Sequence, residues 1–193
     1  MPDPDWWEAL WPEPERTVAE LGIAPGMRII DLCCGDGLFT LPMARLAAEV
    51  VAIDLDREIL RRTRTRLDAA GVRNCRVVEG DAYDIAELVG EMADMVVMAN
   101  TFNGVPDKTR LCQAVASALR PDGRFVVVNW HRRPREETTV LGEPRGPKTE
   151  MRMDPKDVAA VARPAGLSLE RTIELPPYHY AAVLRSGVGR NKG

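Results

Sequence analysis

An apolar run, Ile29-Ile30-Asp31-Leu32, meets Cys33-Cys34-Gly35-Asp36-Gly37 and passes at once into the apolar-rich residues 38–47. The run has the length of a buried strand, and the Gly-x-Gly pair permits a tight turn with its backbone N–H groups free. The segment beyond it has the composition of a helix. Strand, glycine turn and helix form the opening unit of a nucleotide-binding α/β fold, with a helix N-terminus facing the ligand.

A second strand, residues 49–54, ends in an acid, Asp54, 17 residues beyond Gly37. In a parallel sheet that carboxylate lies beside the first turn, where it can accept two ribose hydroxyls. A dinucleotide-dependent dehydrogenase would place a third glycine where this chain has Thr40, so hydride transfer is disfavoured. Asp31, just before the turn, is placed to meet a cationic ligand or to orient the loop.

Alternation continues along the chain. Helices are expected over residues 15–21, 57–70, 83–89, 107–119 and 155–163, and strands over 76–79, 94–99 and 125–130, the last after a Pro121-Asp122-Gly123 turn. Strands 167–175 and 178–185, separated by Pro176-Pro177, should be antiparallel neighbours. The whole predicts an α/β protein: a doubly wound, seven-stranded, mostly parallel sheet with an antiparallel last strand inserted at one edge, in three α/β/α layers. One domain is expected over residues 1–193, with an aromatic and helical segment at 1–24 and a disordered tail from Ser186.

These residues resemble the class I S-adenosylmethionine-dependent methyltransferases. Asp31-Leu32-Cys33-Cys34-Gly35-Asp36-Gly37 is similar to their first motif, Asp54 to the ribose-binding acid and Gly80-Asp81-Ala82 to the adenine-side motif. The likeness extends through residues 94–100 and 119–125 and so covers most of the chain. It implies S-adenosyl-L-methionine as cofactor. Asp31, Cys33, Gly35 and Gly37 would lie against its amino-acid portion, and Asp54 and Leu55 at the ribose. Asp81 and Ala82 would meet the adenine, with Asn100 near the reacting centre. The family has glycine where this chain has Cys33, so the first turn must accommodate a thiol.

The acceptor side rests on residue chemistry. Asn100 and Asn103 follow the fourth strand and can orient an acceptor through their amides. His131, after the fifth strand, is the first choice for a general base, because imidazole takes a proton near neutral pH; the other reading is a hydrogen-bonded structural histidine. His179, between Tyr178 and Tyr180, is the weaker one. Trp6, Trp7 and Trp11 near the start read either as a segment packed across the sheet's helical layer or as a lid; as a lid they are expected, with Trp130, Arg132, Tyr178 and His179, to line the acceptor site. Residues 131–153 have no period and read as a flap over it that orders when ligands bind.

Net charge is −3, which offers no general field for nucleic acid, and no apolar stretch is long enough to span a bilayer. The N-terminus does not read as a signal peptide, and four cysteines, two of them adjacent, do not form a secreted framework or a metal site. The expectation is a cytoplasmic methyltransferase acting on a small-molecule acceptor, with no nucleic-acid or membrane partner. The alternative is a non-catalytic S-adenosylmethionine-binding or regulatory module.

Overall fold

The computed structural model describes residues 4–187. Two short helices, α1 (Pro4–Leu10) and α2 (Pro14–Glu20), precede the sheet. The alternation that follows is β1 (Arg28–Leu32), α3 (Thr40–Leu46), β2 (Glu49–Asp54), α4 (Arg57–Ala69), β3 (Cys75–Glu79), α5 (Ile85–Val89), β4 (Ala93–Ala99), α6 (Lys108–Ala118) and β5 (Leu119–Trp130). A small hairpin, β6 (Thr139–Val140) and β7 (Glu143–Pro144), leads to α7 (Pro155–Ala162), β8 (Leu167–Leu175) and β9 (His179–Ser186).

The main sheet has seven strands in the order β3-β2-β1-β4-β5-β9-β8. The first five pair in parallel, so their carboxyl ends share one edge. β9 is antiparallel to both neighbours. It lies one place in from the edge, between β5 and β8, rather than at the edge itself. Its burial explains the position: residues 179–184 are all buried, whereas β8 is mostly exposed and suits an outer strand. The expected tail falls in two parts: Ser186 closes β9, and the residues from 188 onward lie outside those described.

β1 is buried along its whole length because helices cover both faces of the sheet. α2, α3 and α4 cover one face, and α5, α6 and α7 the other. On the first face Trp6, Trp7, Leu10 and Trp11 join Val18, Met43, Val97 and Val128 in one apolar cluster. On the second, Ile30, Val96, Leu111, Val115, Phe125 and Leu184 form another. β5 begins earlier than the Pro121-Asp122-Gly123 turn suggests. Leu119 already pairs with Ala93, and a register shift brings Arg124 opposite Met95, with Asp122 at φ +62°.

Residues 131–153 are ordered from within. Leu141 and Gly142 both have positive φ, which suits the two-residue turn joining β6 to β7. Arg152 is fully buried, and its guanidinium donates to the carbonyls of Pro147 (3.1 Å), Arg133 (3.0 Å) and Arg145 (3.2 Å) and to Thr138 Oγ1 (2.9 Å). The same group lies 5.2 Å from the Trp130 ring. A Cβ on Gly146 would stand 2.8 Å from that indole, so glycine lets the loop press against it.

Candidate functional site

A cavity of about 700 Å³ opens at the carboxyl edge of the parallel strands, a volume usual for small-ligand sites. Strand order arranges its lining. Gly80 and Ala82 follow β3, Asp54 and Leu55 stand at the end of β2, and Asp31 to Asp36 at the end of β1. Asn100 and Asn103 come after β4, and Trp130, Arg135, Arg145 and Gly146 at or after β5. With strands about 4.8 Å apart, this row spans about 19 Å from β3 to β5.

The glycine turn is held in shape from two sides. Asp54 accepts the N–H of Gly35 through Oδ2 (3.0 Å) and that of Asp56 through Oδ1 (3.0 Å). Each carboxylate oxygen keeps a lone pair for a further donor. From α4, Thr63 donates its hydroxyl to the Gly35 carbonyl at 2.6 Å. Asp36 accepts from Arg66 at 3.1 Å.

Charge is distributed unevenly along the cavity. Asp31 is buried, and desolvation lifts its carboxyl from about 3.8 to about 7 despite a 2.5 Å hydrogen bond from the Thr40 hydroxyl; Asp54 adds a smaller push the same way. Burial raises the Cys33 thiol to about 12, helped by the charges of Asp54, Asp31 and Asp81, and sends Cys34 higher still. Both thiols are protonated at neutral pH and are poor nucleophiles. Asn100 leaves β4 at φ +62°, its N–H donating to the Val128 carbonyl at 2.8 Å. The amide nitrogen and oxygen of Asn100 and of Asn103 are all buried without a partner among the described residues.

A family description, methyltransferase domain, matches residues 29–123. The ubiquinone biosynthesis O-methyltransferase of Xanthomonas axonopodis pv. citri (strain 306) is 33% identical over 189 residues, covering 86% of this chain and 76% of that protein. The chain belongs to the class I S-adenosylmethionine-dependent methyltransferases. Solved structures share the fold: an Aquifex aeolicus methyltransferase at TM-score 0.75 and 18% identity, with 90% of this chain and 89% of that one covered. A second, from Clostridium acetobutylicum ATCC 824, has TM-score 0.67 and 14% identity, with 96% and 93% covered.

In this methyltransferase Asp31, Cys33, Gly35, Asp54, Leu55, Ala82 and Asn100 line the cavity, as do Asn103, Trp6, Trp7 and Trp130. Cys33 takes φ +61°, the left-handed conformation that glycine adopts without strain. Two expected cofactor residues stand back from the cavity. Gly37 is at φ +84°, and a Cβ there would lie 2.9 Å from the Thr63 side chain, so the turn packs closely on α4 at this point. Asp81 accepts the N–H of Tyr83 at 3.0 Å and caps the helical turn after β3.

The acceptor residues divide more sharply. His131 does not line the cavity: its Nε2 lies 2.9 Å from Glu174 on β8, and its ring packs near Tyr180. Consecutive residues at a strand end point to opposite faces, so Trp130 facing the cavity turns His131 away. His179 is buried between Trp11 and Trp130, at 4.5 and 4.2 Å between ring centres. Desolvation, with the charges of His131 and Arg152, pushes its pKa well below 6.5 and keeps it neutral. Trp11 instead packs on Phe39, and Tyr178 stacks on the outer side of Trp130 while donating to the Thr139 carbonyl at 2.9 Å. Arg132 is bound to Asp157 (2.6 Å) and to the Arg152 carbonyl (3.0 Å) and takes no part in the lining. Arg145, like Arg135, is a cavity residue that sequence reasoning did not single out. It sits in an aperiodic stretch, and only the β6–β7 hairpin carries it back over Trp6.

Proposed function

We propose that the protein transfers the methyl group of S-adenosylmethionine to a small-molecule acceptor by direct displacement. The observation that carries this reading is the pair of unpartnered, buried amides, Asn100 and Asn103, midway along the cavity. An unsatisfied buried amide costs about 1–3 kcal/mol, and a ligand with its own donors and acceptors removes that cost.

The residues present suit the cofactor. Asp54 has free lone pairs for ribose hydroxyls, while Leu55, Ile59 and Ala82 supply apolar surface beside them for an adenine. Leu55 lines the cavity next to Asp54 and is 66% exposed, so its side chain is open to a ligand. Asp31 offers a buried carboxylate to the positive end of the ligand, and that charge would restore its ionised form. Bound S-adenosylmethionine supplies an electrophilic methyl carbon, which the acceptor's lone pair takes as the carbon–sulfur bond breaks. Holding the two partners in line and excluding water is then the protein's task. Asn100 orients the reacting groups, and Trp6, Trp7 and Trp130 close the acceptor end. The relative named for O-methylation in ubiquinone biosynthesis supports a small-molecule acceptor.

Calorimetry with S-adenosylmethionine, followed by transfer of labelled methyl to metabolite, peptide and nucleic-acid pools, tests the proposal. Binding should be present and weakened by Asp54→Ala by about 1.5–3 kcal/mol, and label should enter the metabolite pool. Label mainly in protein or nucleic acid would overturn the acceptor class, and binding without transfer would favour a regulatory module.

A further inference from the structure

Arg145 points from the β6–β7 hairpin into the acceptor end of the cavity, its guanidinium carbon 5.5 Å from the centre of the Trp6 ring. Among the described residues it forms no ion pair and no side-chain hydrogen bond, and its Nε is buried without a partner. Arg135 lines the same end. Its Nε donates to the Gly146 carbonyl at 3.1 Å, and its terminal nitrogens have no partner among the described residues. Behind both stands Arg152, fully buried and answered by neutral oxygens alone. The acid whose charge reaches it, Glu136, is exposed. Two guanidinium groups, those of Arg145 and Arg135, therefore line the cavity where its wall is indole, with Arg152 close to Arg135, and among the described residues no carboxylate is bound to any of the three.

A cation without a counter-ion is expensive to hold in a half-buried site, and arginine's planar fork matches an oxyanion in two parallel hydrogen bonds. Trp6, Trp7 and Trp130 beside it offer flat apolar surface. The strand order separates this end from the acids: the end of β5 lies two strand spacings, about 10 Å, from Asp31 on β1, with the asparagines of β4 between. One end of the cavity suits a positive group and the other a negative one.

We propose that the acceptor is a small aromatic acid whose oxyanion, carboxylate or phosphate, is received by Arg145 and Arg135 while its ring lies against the indoles. This rests on the methyl-transfer reading, and the test separates the two. Binding of S-adenosylmethionine alone is measured first by calorimetry on the full chain; its absence defeats the methyl-transfer reading and with it the identification of an acceptor. On protein saturated with S-adenosylhomocysteine, 3,4-dihydroxybenzoate and 3-hydroxyphenyl phosphate are then titrated against the neutral 3,4-dihydroxybenzamide. At least one anion should bind about 10-fold or more tightly than the amide, as loss of a charge-assisted hydrogen bond implies. Whichever anion does so identifies the headgroup. Arg145→Gln should abolish the preference and leave cofactor affinity within about twofold of the parent. A neutral amide that binds as well as both anions, no binding by any of the three, or a preference that survives in Arg145→Gln would each overturn the proposal while leaving cofactor binding intact.

Discussion

Asp31→Asn should make this protein more stable and less able to bind its cofactor. The carboxyl titrates near 7 when folded, because burial disfavours its charge more than the Thr40 hydrogen bond favours it, against an ordinary value near 3.8. Between those two values the folded state holds a proton that the unfolded chain has released, so stability falls as pH rises. Each unit corresponds to about 1.4 kcal/mol, so the parent loses about 2.3 kcal/mol between pH 5 and pH 7, where the carboxyl is half ionised, and about 2.6 kcal/mol by pH 8. Asparagine has the same shape, can still accept the Thr40 hydroxyl and does not titrate. The difference in unfolding free energy, variant minus parent, should rise by about 2.6 kcal/mol from pH 5 to 8 and then level off. For a chain of this length the gap corresponds to about 5–10 °C in Tm. Urea unfolding of both proteins at half-unit steps from pH 5 to 8.5, without ligand, measures it. A difference that does not change with pH would refute the argument that desolvation governs Asp31. The same variant should bind S-adenosylmethionine more weakly at pH 8, since the carboxylate proposed to meet the positive end of the cofactor is gone.

Two further outcomes follow from the loop after β5. Arg152→Met should destabilise the fold by about 2–4 kcal/mol and speed proteolysis within residues 131–153, because the carbonyls of Arg133, Arg145 and Pro147 lose their shared donor; unchanged cutting would show that the loop is held by something else. His131→Gln should leave the transfer rate within a few fold of the parent, since its ring faces Glu174 and Tyr180; a loss of about 100-fold or more, the size expected for a general base, would place it back in the chemistry.

The cofactor half of the cavity was largely legible in the chain because its parts are local. A strand, the turn at Gly35 and an acid at the next strand end lie within a few residues of their neighbours, and parallel pairing aligns them at one edge whatever the rest of the molecule does. Even there a contact needed the third dimension. Gly37 resembles a ligand-approach glycine in sequence, but the space it leaves is filled by Thr63 on α4. Asp81 resembles a ligand residue, and the structure adds that one of its carboxylate oxygens accepts the N–H of Tyr83 in its own turn.

The acceptor half obeyed no such local rule. His131 and Trp130 are adjacent, and nothing in their order says which faces the cavity; the pairing of Trp130 with His179 and of β5 with β9 settles it. Arg132, Arg135, Arg145 and Arg152 are equivalent cations in the chain. Tertiary structure makes one a salt-bridge partner of α7, one a buried hub and two the lining of a pocket. The hydrophobic period and the glycine turn determined strands, helices, their parallel direction and the edge at which the cavity opens, because those depend on interactions between near neighbours and on strand handedness. Which polar side chains in residues 131–153 reach the cavity was decided by long-range packing, through the buried guanidinium of Arg152 and the close fit of Gly146 on Trp130.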